Sequence, residues 1–244
     1  MPEKIIEVRG LNVTFGDRRI LHNVSFEAYK GEVTVILGES GSGKTTILKH
    51  LLGLYSIREG YVSILDKDIN EIDEAEQKQL YLQMGVFYQN GGLLNSLTVG
   101  ENVSLPLEQH TNLELDLIKQ IVSAKLQLVN LTDVFDLFPS QLSGGMLKRA
   151  ALARAMVMDP VLLFCDEPGS GLDPVSLASL DKLILNLREQ LGMSIVIITH
   201  QVSSILRIAD RVVFIDKGRI IFSGKLKEAL ENQNMRVHNF FHIG

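Results

Sequence analysis

An α/β fold built on a mostly parallel core sheet is predicted by three features of the sequence. After Ser143, three short apolar runs, "VLLFCDE", "SIVIITH" and "RVVFIDKG", alternate with helical stretches, the order that produces parallel strands joined by helical crossovers. "TVILGESGSGKTT" is a further apolar strand that passes through a glycine-rich turn into a helix beginning near Lys44. The start of the chain, "IIEVRGLNVTF" through "GEVTVILG", alternates apolar and polar residues between glycine-containing turns and reads as a β-rich subdomain.

The remaining elements follow in order. "YVSILDKDI" reads as another strand, and from about Glu74 the pattern turns helical. "LELDLIKQIVSAKLQLVNL" carries apolar residues at i, i+3, i+4 and i+7, the stripe of an amphipathic helix. The β-rich start and the helical insertion, at about 91–158, read as subdomains of one unit covering residues 1–244.

Composition narrows the function classes. With 45% hydrophobic residues in 244, the chain can build a well-packed core. A net charge of −5 argues against nucleic acid as the main partner, because phosphate backbones call for concentrated positive charge. Cys165 has no second cysteine to pair with, which points to a reducing compartment. It sits in an apolar run and reads as a buried structural thiol. The start "MPEKIIEVRG" lacks an apolar segment before a small-residue cleavage site, which argues against secretion. No window reaches the roughly 18–20 apolar residues that span a bilayer. A soluble chain is expected, with any membrane role exercised through a partner.

Gly38, Gly43, Lys44 and Thr45 match G-x-x-x-x-G-K-[ST]. The candidate phosphate cradle is Gly38, Glu39, Ser40, Gly41, Ser42, Gly43, Lys44, Thr45 and Thr46. Its glycines let backbone N–H groups curl around phosphate oxygens at a helix N-terminus. Lys44 supplies a point charge to the β- and γ-phosphates, and the Thr45 hydroxyl is placed to ligate Mg²⁺. This is a nucleotide site.

"VLLFCDEP" ends a strand on Asp166 and Glu167, and ligands gather at the carboxyl ends of parallel strands. Asp166 is the candidate Mg²⁺ ligand, through water or Thr45. Glu167 is the candidate general base for an attacking water. His200 ends another strand and is the candidate hydrogen-bond partner of the γ-phosphate. His22, His50 and His110 read as structural. His238 and His242 are four residues apart but have no third ligand nearby.

In "LSGGMLKRAALARA" Ser143 can cap a helix while the N–H groups of Gly144 and Gly145 face an anion. On these residues alone an ordinary capped helix fits equally well. The order of elements goes further. Phosphate loop, glutamine segment, LSGG, strand with D-E and strand with histidine together resemble the ATP-binding subunit of ABC transporters along nearly the whole chain.

That resemblance implies a P-loop NTPase of the ABC type, with an antiparallel β subdomain and a helical subdomain on the parallel core, and ATP and Mg²⁺ as its ligands. It implies a head-to-tail dimer, in which the phosphate loop of one copy and Ser143–Gly145 of the other sandwich one ATP. Gln89, in "GVFYQN", resembles the glutamine that senses Mg²⁺ and water and relays ATP binding to the membrane partner. Read alone it is a loop glutamine. Asp173, in "SGLDP", resembles an aspartate that crosses the dimer interface. Phe15 sits where the family places an aromatic against adenine, although the alternation from Val13 also permits a core role.

Met146 departs from the family, where most members have glutamine. Methionine hydrogen-bonds poorly, so one contact across the dimer is in doubt. "LSGGM" with "RAALARA", "FYQNGGLLNSLTVGENVSLPLEQHT" and "RVHNFF" are similar to one branch, the ATPases of MCE-type (Mla-like) systems that move phospholipids between the membranes of diderm bacteria. That likeness implies an integral-membrane permease, an MCE lipid-binding protein and a small STAS-domain protein as partners. It places the chain at the cytoplasmic face of the inner membrane. It also implies a C-terminal clasp on the neighbouring ATPase, expected to be short here because the sequence ends at Gly244. Among transporters the runner-up is the ATPase subunit of an importer or exporter for another small solute, and two other classes fit less well. A soluble ABC ATPase of translation or DNA repair would carry a second domain or a long coiled coil, and a non-hydrolysing module would lack Lys44, Asp166, Glu167 and His200.

Overall fold

A computed structural model of the chain describes residues 2–242 (for His242, the backbone alone). The expected clasp at Gly244 lies outside the described residues. The chain divides into two compact units, residues 1–81 with 194–244, and residues 82–193.

The first unit opens with β1 (Lys4–Phe15) and β2 (Arg18–Tyr29), both twelve residues long and antiparallel to each other. Alternation broken by register shifts, one of them between Val8 and Leu11, buries Val8, Leu11, Val13, Leu21, Val24 and Phe26 among others. Next come β3 (Val33–Leu37), α1 (Lys44–Leu51), β4 (Glu59–Ile64), β5 (Lys67–Asp68) and α2 (Glu74–Leu82). The strand β4 joins the antiparallel sheet beside β1.

The second unit begins with β6 (Met84–Phe87), followed by α3 (Val99–His110), α4 (Leu115–Leu128), α5 (Gly144–Ala155), β7 (Leu162–Asp166) and α6 (Pro174–Leu191). β6 corrects the expectation of continuous helix from Glu74: four residues leave α2 and pair in parallel with β7. The capping box of Thr98 and Glu101 sets the start of α3.

The chain then returns to the first unit through β8 (Ser194–Ile198), α7 (Val202–Ile208), β9 (Arg211–Asp216), β10 (Arg219–Lys225), α8 (Leu226–Leu230) and α9 (Met235–His242). β3 lies between β8 and β9 and is parallel to both. β10 turns back antiparallel on β9, a strand the apolar pattern did not announce because only Gly224 of its residues is buried. All five residues of β3 and all five of β8 are buried, the continuous apolar reading of strands covered on both faces. Arg236 of α9 pairs with Asp216, and Phe240 stands 5.1 Å from Phe214.

Gly85 in β6 leaves no room for a side chain: an added Cβ would stand 2.2 Å from the carbonyl oxygen of Ala155, at the end of α5. Gly85→Ala is expected to cost about 2–3 kcal/mol of stability through overpacking. Thermal unfolding should show a melting temperature lower by about 5–10 °C. A melt unchanged to within about 2 °C would contradict this packing.

Candidate functional site

In the first unit, register decides which loops share an edge. Ile36 of β3 is opposite Ile198 of β8, and Thr199 N–H donates to the Ile36 carbonyl. The segment after Leu37 and the segment holding His200 therefore leave the sheet on the same side, at the carboxyl ends of the strands. The first is the glycine loop and the second carries an exposed His200.

The loop is shaped by two glycines. Gly38 has φ 153°, and an added Cβ would stand 2.1 Å from the Ile215 carbonyl oxygen. Gly43, at φ 114°, caps α1, and its added Cβ would meet Leu21 Cδ2 at 2.7 Å. No other residue fits either place. Glu39, Ser40 and Gly41 form the exposed rim, with open space beside Gly41. Lys44 curls over the loop and donates to the carbonyls of Gly38 at 2.8 Å and Glu39 at 2.9 Å. Thr45, exposed, and Thr46, half-buried, lie in the first turn of α1. Ser42 Oγ is buried with no hydrogen-bond partner among the described residues, a donor that a phosphate oxygen would satisfy. A cationic side chain, an orphaned hydroxyl and a helix N-terminus make this loop fit a nucleotide polyphosphate.

Phe15, at the end of β1, is 47% exposed while Val13 is buried, so the ring is not a core side chain. Its edge meets Tyr55 at 5.4 Å, and Tyr55 in turn meets His50 at 5.5 Å. Phe15, Gly16, His50, Tyr55 and Arg58 help to line a cavity of about 370 Å³. His50 is buried, with Nδ1 2.7 Å from the Thr46 carbonyl oxygen, in keeping with its structural reading. Tyr55 escaped the sequence reading, because nothing local marks it as a neighbour of Phe15.

In the second unit the same rule operates. Phe87 of β6 is opposite Cys165 of β7, so Gln89 and the pair Asp166–Glu167 emerge on one side. Cys165 is fully buried, and burial pushes its thiol far above the ordinary range, as suits an inert structural cysteine. Glu167 adopts a left-handed backbone, φ 46°, a conformation that costs a glutamate of order 1 kcal/mol and recurs at functional turns. The side chain is half-buried.

Ser143 is the N-cap of α5, its Oγ accepting from Met146 N–H at 3.3 Å. None of the described residues stands within 4 Å of a Cβ added at Gly144 or Gly145, so the helix start is open to an approaching group. The Met146 side chain is half-buried. Asp173 caps α6, accepting from Val175 N–H at 2.9 Å and Ser176 N–H at 3.0 Å. The Ser176 hydroxyl first, then these backbone N–H groups, hold its carboxyl below the usual range. Lys148 and Arg154 of α5, which the sequence reading passed over, both donate to the loop carrying Gln89.

A family model described as ABC transporter matches residues 21–170, more than half of the chain. The chain belongs to the ABC transporter family. Among curated relatives it is 38% identical over 240 residues to an intermembrane phospholipid transport ATP-binding protein of Haemophilus influenzae, covering 98% of this chain and 91% of that one. It is 39% identical over 235 residues to a probable ribonucleotide transport ATP-binding protein of Mycobacterium leprae, covering 96% and 68%. Among solved structures, the dimeric ATP-binding cassette MJ0796, in a post-hydrolysis state bound to ADP and Pi, matches with a TM-score of 0.81 at 28% identity, covering 91% and 98%.

The fold is therefore that of the ABC-type P-loop NTPases, and the chain is an ATP-binding, ATP-hydrolysing subunit of an ABC transporter. Self-association and partnership with the rest of a transporter belong to that role. Among the described residues no helix is long and apolar enough to cross a membrane.

Removing the Ser143 hydroxyl takes away the α5 cap. Ser143→Ala should cost about 1 kcal/mol, lowering the melting temperature by about 2–4 °C, while ATP affinity of the single chain stays unchanged. Turnover should fall by more than affinity. An equal loss of both would place Ser143 in its own chain's phosphate site.

Proposed function

We propose that this ATPase powers phospholipid movement between bacterial membranes, as the peripheral subunit of a complex with a permease and an MCE lipid-binding protein. The observation that carries this reading is the 38% identity across 98% of the chain to a protein named for intermembrane phospholipid transport. Met146, directly after LSGG, points to the same branch. The complex sits at the cytoplasmic face of the inner membrane. A STAS-domain protein docks on the helical subdomain, about residues 91–158 of a single nucleotide-binding domain.

In the proposed cycle two copies pair head to tail. Gly38 to Thr46 of one copy cradle the ATP phosphates, with Lys44 neutralising the β- and γ-oxygens. Ser143, Gly144 and Gly145 of the other copy close the sandwich with a helix N-terminus. Phe15 stacks on adenine, a contact worth about 1–3 kcal/mol, and its exposed ring supports that assignment. Asp173 presents its ionised carboxylate at the interface between copies.

Thr45, Gln89 and Asp166 are the proposed Mg²⁺ ligands, an all-oxygen donor set that suits a hard cation. When bound, Mg²⁺ neutralises charge on the transferring phosphoryl group. Glu167 takes the proton of the attacking water, and His200 donates a hydrogen bond to the γ-phosphate. Glu167 follows directly on a buried strand, so its carboxylate is carried by a rigid element rather than a mobile tip.

Two measurements test this reading. Glu167→Gln keeps size and hydrogen bonding but removes the base, so ATP binding should persist, a dimer should accumulate, and hydrolysis should fall at least about a hundredfold, the lower end of what a general base contributes. Turnover within a few-fold of wild type would remove Glu167 from that role. Affinity purification of the tagged chain from detergent-solubilised membranes should bring down an integral-membrane permease together with phospholipid. Recovery as a monomer without a permease, or of a complex retaining nucleotide and no phospholipid, would overturn the cargo assignment.

A further inference from the structure

We propose that Lys148 and Arg154 of α5 form a strut that fixes the loop carrying Gln89, which makes Lys148 a positioning residue for that glutamine. The inference rests on the role assigned to Gln89 above.

Residues 148, 151 and 154 follow one another at three-residue intervals and so lie along one side of the helix. At one end Lys148 Nζ donates to the Gln89 carbonyl oxygen and stands 5.5 Å from the centre of the Phe87 ring. At the other end Arg154 donates through Nη1 to the Gly92 carbonyl at 2.6 Å and through Nη2 to the Gly91 carbonyl at 2.8 Å. Between them Ala151 packs so closely that a Cβ added at Gly91 would meet its own Cβ at 3.1 Å. Three backbone carbonyls are thus held by two cations on one rigid element. The loop needs such a grip, since Gly91 and Gly92 both have positive φ and glycines leave a chain free to move.

The Lys148 contact is not required for the fold. Gln89 is exposed, and water would satisfy its carbonyl if Lys148 were absent. What the ammonium supplies is position. Burial lowers the Lys148 pKa, while the Glu167 carboxylate opposes that shift, so the same cation also lies within the field of the proposed base.

The consequence is mechanical. α5 is the helix whose first residues, beyond Ser143, face the neighbouring copy in the proposed dimer. Its twelve residues make a rod of about 18 Å. A shift of its N-terminus as the sandwich closes is carried directly to Gln89 through Lys148 and Arg154. Nucleotide engagement by one copy is thereby reported in that copy's own Gln89.

The test measures ATP turnover against Mg²⁺ concentration for the chain purified with its membrane partner, in wild type, Lys148→Met, Lys148→Arg, Gln89→Ala and the Lys148→Met/Gln89→Ala pair. Lys148→Met should leave ATP affinity within about twofold and the melting temperature within about 2 °C. It should lower kcat about tenfold and raise the Mg²⁺ concentration for half-maximal turnover. Lys148→Arg, which keeps a charged donor, should recover most of the rate. The double variant should be no worse than Gln89→Ala alone, because both act through one side chain.

An impaired Gln89→Ala beside a Lys148→Met that turns over like wild type would overturn the strut alone. Losses that multiply in the double variant would do the same. A normal Gln89→Ala would overturn the reading of the glutamine and the strut with it. If Lys148→Met does not accumulate as folded protein, Lys148→Gln, whose shorter amide still donates, is measured by the same criteria.

Discussion

The parallel register of short, largely buried strands is the constraint on which the candidate chemistry depends. Ile36 opposite Ile198, and Phe87 opposite Cys165, decide which loops leave at the same edge. Because side chains alternate with period two, a slip of one residue would reverse every one of them. The buried apolar side chains of β3, β7 and β8 make such a slip costly. Each would have to repack against the opposite layer of a closely filled interior. Asp166 ends β7, and Gln89, Glu167 and His200 come one or two places beyond β6, β7 and β8, where backbone position is inherited from the core and side chains first reach water.

Two kinds of local backbone chemistry then aim those residues. Helix N-termini are made and left open: Gly43 starts α1 without a side-chain cap, whereas Ser143 caps α5 through Met146 N–H while its two glycines stay uncovered. Turns in unusual conformations do the rest, with Gly38 at φ 153° against the Ile215 carbonyl and Glu167 at φ 46°. Glycine accepts such a turn without penalty and glutamate does not, so the Glu167 kink is held by the strand before it and the packing around it. On α5 the two themes meet, since one helix carries the open N-terminus and the cations that grip the Gln89 loop.

Much of this was legible in the sequence wherever the needed properties are local. The phosphate loop was readable because strand, glycines, lysine and helix are contiguous between Thr34 and Thr46. Asp166 and Glu167 were readable because an apolar run ends on them. What alternation left open at Phe15 is closed by its exposure: period two cannot distinguish the last residue of a strand from an inward one. β6 was hidden because "MGVF" offers four residues directly after a helix, too few for a period to register. Lys148 was invisible for a different reason. Its partner is 59 residues away in the chain, and a lysine on a helix reads as solvated until the fold brings a carbonyl to it. Met146 stood out as an oddity and supplied the narrower family likeness, while the structure accounts for its backbone, through Ser143, rather than for its thioether.

The central claim is that an ATP site is completed by two copies, the phosphate loop of one and the Ser143–Gly145 helix start of the other. It is tested most directly by mixing two inactive chains, Lys44→Ala and Ser143→Arg, and measuring ATP hydrolysis of the mixture. In a head-to-tail pair the two defects fall in one site and leave the other intact, so the mixture should hydrolyse ATP well above either chain alone. A mixture as inactive as its components, with mixed dimers present, would contradict a site shared between copies.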